Sequence, residues 1–430
     1  MLNFFHRCID LIGDKFNILI LSPNFRSFGN CTEEIFFGLL HCLDKNKKLL
    51  LLKPFDQVAF KKVSISNKYL YQLEHELIVK KSLLSNFFTS LIMTLFIVVF
   101  FIISNLRKLF AKIYNLPKEF YSSKEISSSL SLHFGKRNLW GFSENKIYSK
   151  EEWNELEKRF APLEIPQSIK ETSNSFIKEY AEEAIGKKWV TLHVLDNTKA
   201  NYARGADIKA YYPVIEYLID SGFHIFRIGD VSMPKSKSFH GLTDLAHIEH
   251  DNSLDLFLIY NAEFHIGVGS GPNYATYLFN TDLLATNLTE WSTSLPRKKG
   301  NFFITKKIFS KSTKKRIPIS ELFQQNFNFQ INTNEVLNND IYTEDNSSEE
   351  LVEAVKDYIT FKQRNEDYST IQKKFDESKN LWLQKELLLQ KELKIHYSPK
   401  DQYAIQRIRS IALSSVKGTM ANSFLKENWE

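Results

Sequence analysis

Four consecutive residues, Gly269-Ser270-Gly271-Pro272, have the types and spacing that suit a phosphate group. Ahead of them Phe264, Ile266 and Val268 alternate with small or polar residues, which reads as a strand stopping at a tight turn. Pro272 suits the first position of a helix, where its missing N–H costs nothing, and Ser270 or Gly271 would cap that helix. Unpaired amides and the helix dipole favour a nearby negative charge by roughly 0.3 to 1 kcal/mol when exposed. A lone G-x-G turn also serves merely to pack a helix closely on a strand, so its neighbours must carry the argument. His193 and Asp196, at the carboxyl end of another apolar run, are candidate acid/base groups, although an Asp in that place equally well caps the next turn.

These residues need elements to hold them. Trp189 to Asp196 (W-V-T-L-H-V-L-D) reads as a strand. Asp207 to Asp220 follows as a helix with Ile208, Tyr211, Ile215 and Leu218 inward, and Phe223 to Asp230 as the next strand. Leu283 to Ala285 supplies a strand after the glycine turn. The pattern predicts a parallel sheet whose carboxyl edge carries the site, the edge at which open α/β sheets bind ligands. Nearer the N-terminus, Phe16 to Leu21 and Leu49 to Leu52 read as strands flanking a helix from about Thr32, with Ile35, Phe36, Leu39 and Leu40 on one face. Gly29 and Asn30 in the first turn would let backbone approach a ligand, or simply make a tight turn.

The chain of 430 residues is long enough for two or three domains, and 43% hydrophobic with 25% charged residues describes a packed protein rather than a disordered one. A net charge of only +6 gives no bulk electrostatic case for a nucleic-acid partner. Cys8, Cys31 and Cys42 lack C-x-x-C spacing, which points to a reducing compartment. No secretory signal is expected in the first residues. One stretch differs in kind: Phe87 to Ile103 holds no charge and is flanked by Lys80, Lys81, Arg107 and Lys108. It is a buried core helix or a membrane segment. A full span would put the first βαβ unit across the membrane from the rest, so residues 83–108 are expected to dip into one leaflet as a monotopic helix or re-entrant hairpin. Glu151 to Phe160 reads as a helix, Pro162 to Pro166 as a linker, Arg297 to Arg316 (nine Lys or Arg, no acid) as a solvated loop or an anion contact, and the chain beyond about Ser347 as helical.

Two successive α/β halves, the second ending in G-S-G-P, resemble the plan of GT-B glycosyltransferases. G-V-G-S-G-P-N-Y-A-T-Y-L-F is similar to the donor-side turn of bacterial heptosyltransferases. The wider series resembles a family of bacterial surface-polysaccharide glycosyltransferases: T-L-H-V-L-D-N, then Arg204, D-I-K-A-Y-Y-P-V-I-E-Y-L, S-G-F-H-I-F-R-I-G-D, the S-G-P turn, and S-F-L near the terminus. The match is strongest over residues 189–291. One departure is Leu195, where the family pattern has Arg; Arg204 or Arg227 would have to compensate.

The resemblance implies an α/β GT-B fold of two Rossmann-like domains facing a cleft: 1–165 on the acceptor side, with the apolar membrane-associated insertion at 83–108; 166–335 binding the nucleotide sugar; and a helical tail at 336–430. It implies transfer of a sugar to a lipid-linked or surface polysaccharide such as lipopolysaccharide or capsule, at the cytoplasmic face of the inner membrane. Inversion is expected from the resemblance alone. With no D-x-D in the chain, the usual carboxylate clamp for a metal-bound diphosphate is missing, so neither metal nor cofactor is expected. Donor contacts fall on Arg204, Arg227, Gly229, Asp230, Gly269, Ser270, Gly271, Pro272 and Asn273, with Asn287 and Glu290 toward ribose or sugar hydroxyls. Catalysis falls on Asp196 and His193, and the acceptor-side loop on Gly29 and Asn30. Two rival readings are a nucleotide-sugar epimerase and a non-catalytic membrane-bound assembly subunit, the latter favoured by Leu195.

Overall fold

The computed structural model describes residues 11–23, 27–53, 55, 57–58, 61–62, 65–80, 82–114, 142–143, 146–147, 150–196, 198, 203–291, 295–324, 340–364, 369–393 and 416–430. Cys8, Lys81 and Leu132 to Arg137 lie outside them. The chain divides into two compact units, Met1–Pro166 and Gln167–Glu430.

In the first unit β1 (Ile18–Leu21), α1 (Phe28–Lys45) and β2 (Lys48–Leu51) make a parallel βαβ crossover, with Leu19 opposite Leu49 and Leu21 opposite Leu51. Those four leucines and Ile35, Leu39 and Leu40 of α1 are buried, as the apolar pattern requires. The helix starts before the expected Thr32: Ser27 caps it by accepting from the Asn30 amide at 3.5 Å. Gly29 and Asn30 therefore belong to the first helical turn and not to a loop. Two short antiparallel hairpins pair β3 (Gln57–Val58) with β4 (Lys61–Lys62) and β5 (Phe142–Ser143) with β6 (Lys146–Ile147).

Between them runs α2 (Leu83–Ile113), one uninterrupted helix of 31 residues capped by Ser82. The re-entrant hairpin expected here is thus not formed. Among the described residues, no helix is long and apolar enough to cross a membrane. After α3 (Lys150–Arg159), the expected linker is strapped down: Glu164 exchanges both backbone hydrogen bonds with Glu74, and Leu163 and Ile165 are buried. The segment is thus held on the first unit and does not hang free, while the division between the two units falls directly after Pro166, where the linker was expected.

The second unit is mixed α/β with a large parallel sheet of seven strands. After α4 (Gln167–Tyr180) come β7 (Lys188–His193), α5 (Tyr212–Asp220), β8 (Phe223–Arg227), β9 (Leu242–Asp244), α6 (Ser253–Asn261), β10 (Phe264–Gly267), α7 (Pro272–Phe279), β11 (Asp282–Leu288) and β12 (Phe302–Thr305). With β15 (Thr419–Met420) at one edge, the sheet order is β15-β12-β11-β10-β7-β8-β9, every ladder parallel. The chain moves outward from β7 through β8 to β9, then returns to lay β10, β11 and β12 on the other side. The reversal falls between β7 and β10, the point at which open sheets leave a crevice at their carboxyl edge.

The remainder comprises β13 (Lys307–Ser310), α8 (Ile319–Leu322), β14 (Ile341–Glu344), α9 (Ser348–Arg364), α10 (Thr370–Leu393), β15 (Thr419–Met420) and α11 (Asn422–Asn428). It is more than a helical tail, since β15 pairs with β12 and completes the main sheet. Ser423 of the S-F-L segment donates from both N and Oγ to Asp357 of α9, at 2.7 Å each. The basic block is no solvated loop. It carries β12 and β13, and it engages Asp282 through Lys298 (2.9 Å), Asp345 through Lys306 (2.6 Å) and Glu350 through Lys307 (3.3 Å).

Candidate functional site

The site is built from the ends of three adjacent strands. His193 closes β7 and faces Gly267, the last residue of β10, in register. The Val268 amide continues the ladder to the His193 carbonyl at 3.2 Å. Three residues after β10 ends, Ser270 hydrogen-bonds His193: Oγ and Nδ1 are 2.7 Å apart, both side chains buried. This bond crosses the sheet's switch point. Of the two residues expected to cap α7, Gly271 occupies the cap position, with helical φ and ψ, and Ser270 does not; Pro272 opens the helix as expected. Asn273 is also diverted, its Nδ2 donating to the Val268 carbonyl at 2.8 Å. Asn273, expected to touch the donor, ties the turn through this bond, and its buried Oδ1 has no partner among the described residues. A Cβ on Gly267 would overlap the Asn273 Oδ1 and the His265 Nε2, so only glycine fits where the strand meets the turn.

Burial holds His193 neutral, pushing its pKa down to about 4, and the nearby Arg227 adds to the fall while Asp230 opposes it. Arg227 closes β8 and is fully buried, donating from Nη1 to Asp244 of β9 at 2.8 Å. Its Nε and Nη2 have no hydrogen-bond partner among the described residues. Arg227, expected to contact the donor diphosphate, is thus buried at the end of β8, where its charge acts on His193. Asp230 is exposed directly after Gly229 in the loop after β8; it accepts from the Ser232 amide at 2.9 Å, and its hydrogen bonds to Ser232 hold its pKa below the usual carboxylate range. It caps a turn there.

Asp196 and Arg204 differ from these. Asp196 is half-buried just beyond β7, and no described side chain pairs with it. Arg204 is exposed and likewise unpaired among the described residues. The loop carrying it is fastened from below: the Ala206 amide donates to Leu195, Thr289 Oγ1 to Ala203 at 3.0 Å, and the buried Lys306 Nζ to Gly205 at 2.7 Å. These bonds hold the backbone on both sides of Arg204. Glu290 is half-buried and Gly269, Gly271 and Pro272 are partly exposed at the turn.

Asn287 was expected near ribose or sugar hydroxyls, and the structure corrects this. Its side chain is completely buried and its φ is +53°, a conformation that Asn tolerates better than most residues. It exchanges two hydrogen bonds with Asn346: Asn287 N to Oδ1 at 2.8 Å, and Asn346 N to Asn287 Oδ1 at 2.7 Å. Its Nδ2 donates to the Tyr211 hydroxyl at 2.8 Å. Asn287 is a structural clasp, with none of its surface exposed. Sequence gave no sign of Asn346, which lies 59 residues away. Gly29 and Asn30 lie at the N-terminus of α1 in the first unit.

Among the described residues no cluster of three or more His, Cys, Asp or Glu side chains could hold a metal ion. No family model matches the chain. No curated protein matches it either. Among solved structures, the E. coli ADP-heptose lps heptosyltransferase II is similar at 12% identity, over 63% of this chain and 84% of that one, with a TM-score of 0.33; at that score the likeness carries no argument.

Proposed function

We propose that the chain is a glycosyltransferase that moves a sugar from a nucleotide-sugar donor to a lipid-linked or surface polysaccharide at the cytoplasmic face of the membrane. The observation that carries this reading is the meeting of two loops at the switch point of the parallel sheet. The Ser270–His193 bond ties them together, and the loop after β7 carries Asp196 and Arg204, whose side chains have no partner among the described residues. Ser270, Gly271 and the α7 N-terminus would receive the diphosphate, Arg204 would contact it, and Arg227 would add its field from behind. Asp196 would take the proton of the acceptor hydroxyl, because His193 is buried and already bonded.

His193 then has a positioning role. With Nδ1 unprotonated, the Ser270 hydroxyl donates to it and is spent; with the neutral ring protonated on Nδ1, Ser270 accepts and its O–H is free for a phosphate oxygen. Binding of a diphosphate selects the second tautomer. The absence of D-x-D leaves stabilisation of the leaving diphosphate to cationic side chains and helix amides, and this sets the test. Arg204→Ala should lower turnover on the order of 10²-fold with an unchanged melting temperature, and EDTA should have no effect on the unmodified protein. Strong inhibition by EDTA, or full activity of Arg204→Ala, would contradict this division of work.

A further inference from the structure

The long helix α2 leaves an apolar face uncovered. Leu84, Phe88, Ile92, Leu95, Ile102, Leu106, Leu109 and Ile113 are each between 48% and 66% exposed. Their spacings of 4, 4, 3, 7, 4, 3 and 4 residues follow the 3.6-residue period, so they form one stripe along the helix. At 1.5 Å per residue the stripe runs about 44 Å, far longer than a scattered exposed leucine would account for. Away from this stripe the helix is fastened to its own unit. Thr94 is buried and its Oγ1 accepts from the Phe55 amide at 3.0 Å, while the Phe55 and Phe87 rings are 5.6 Å apart. One side of α2 is thus held and another is bare.

Charge identifies what covers the bare side. From Leu77 to Lys118 the chain carries Lys80, Lys81, Arg107, Lys108, Lys112 and Lys118 and no acidic residue. Two copies of such a segment laid against each other would bring like charges together, with none of the acids that pair charges across a helical seam. An anionic lipid surface offers the complement: headgroup charge for Lys80 and Lys81 ahead of the helix and for Arg107, Lys108 and Lys112 in the sequence of its last two turns, and acyl chains for the stripe. We infer that α2 lies along an anionic bilayer surface with the Leu84–Ile113 stripe facing the acyl chains, as an interfacial anchor that does not cross the membrane. This inference rests on the first unit alone and stands whether or not the chain transfers sugars.

Vesicle flotation tests it. The full chain should float with phosphatidylcholine vesicles that contain phosphatidylglycerol, and much less with phosphatidylcholine alone. Replacing Ile92, Ile102 and Leu106 together with Glu should abolish flotation, while melting temperature and circular dichroism stay those of the parent because all three positions are exposed. As a second variant that leaves the apolar face intact, Lys80→Glu with Lys112→Glu should weaken binding to the anionic vesicles by at least about fivefold for each charge removed and leave any binding to neutral vesicles unchanged. Failure of the full chain to float with anionic vesicles would overturn the inference. So would a soluble dimer that the triple Glu variant converts to a monomer, since a second copy would then be the occupant of the stripe.

Discussion

Asp196→Asn is expected to lower the rate of sugar transfer by about 10²- to 10⁴-fold while leaving nucleoside diphosphate affinity within about twofold. The substitution keeps side-chain size and removes the capacity to accept a proton. Asp196 sits three residues past His193, the last residue of β7, and makes no pair with a described side chain. A carboxylate serving only the fold would be hydrogen-bonded, as Asp230 is by Ser232 and Asp244 by Arg227 and Ser236. The melting temperature of Asp196→Asn should therefore match that of the parent. Transfer at an undiminished rate would remove Asp196 from the chemistry, and a large loss of thermal stability would make it structural. His193→Gln should behave differently: it disturbs Ser270 and so weakens diphosphate binding along with turnover.

The second large effect falls on stability. Asn287→Ala should cost about 3 to 5 kcal/mol, because it strands the buried Asn346 amide, removes the donor to Tyr211 and forces alanine into a left-handed conformation. Against a total of roughly 5 to 15 kcal/mol this is a substantial share, and it should lower the melting temperature by roughly 10 °C. Asn287→Gly separates the causes. It loses the same hydrogen bonds but accepts positive φ, and should recover about 1 kcal/mol relative to alanine. Turnover per folded molecule should change little in either variant. If thermal melting shows a loss below 1 kcal/mol while turnover collapses, Asn287 meets substrate and the clasp described here is wrong.

What could be read from the chain and what could not follow from the range of the forces involved. The strands β7, β8, β10 and β11 were legible because a buried parallel strand writes itself as a short apolar run, and Pro272 marked the start of α7 because its ring suits that position alone. Ser270 and His193 were each singled out, but their hydrogen bond spans 77 residues and no local pattern announces it. Arg227 looked available because its partner Asp244 belongs to the next strand in space, and Asn287 looked polar and free because Asn346 arrives from beyond β14. The short edge strand β15 was invisible, since two residues carry no periodicity. In the first unit, Ser27 and Phe28 moved the start of α1 ahead of its apolar face because capping, not hydrophobicity, decides where a helix begins.

The central claim is that the G-S-G-P turn receives the diphosphate of a nucleotide sugar. Gly271 has φ −53° and ψ −45°, an ordinary helical conformation open to any residue, so Gly271→Val fills the approach to the turn without straining the backbone. Isothermal titration of the full chain with the common nucleoside diphosphates, before and after that substitution, tests the claim most directly. The account predicts that at least one diphosphate binds the parent protein and that Gly271→Val, melting at the parent temperature, binds it at least tenfold more weakly. Equal affinity in a folded Gly271→Val protein, or no diphosphate binding by the parent, would contradict it.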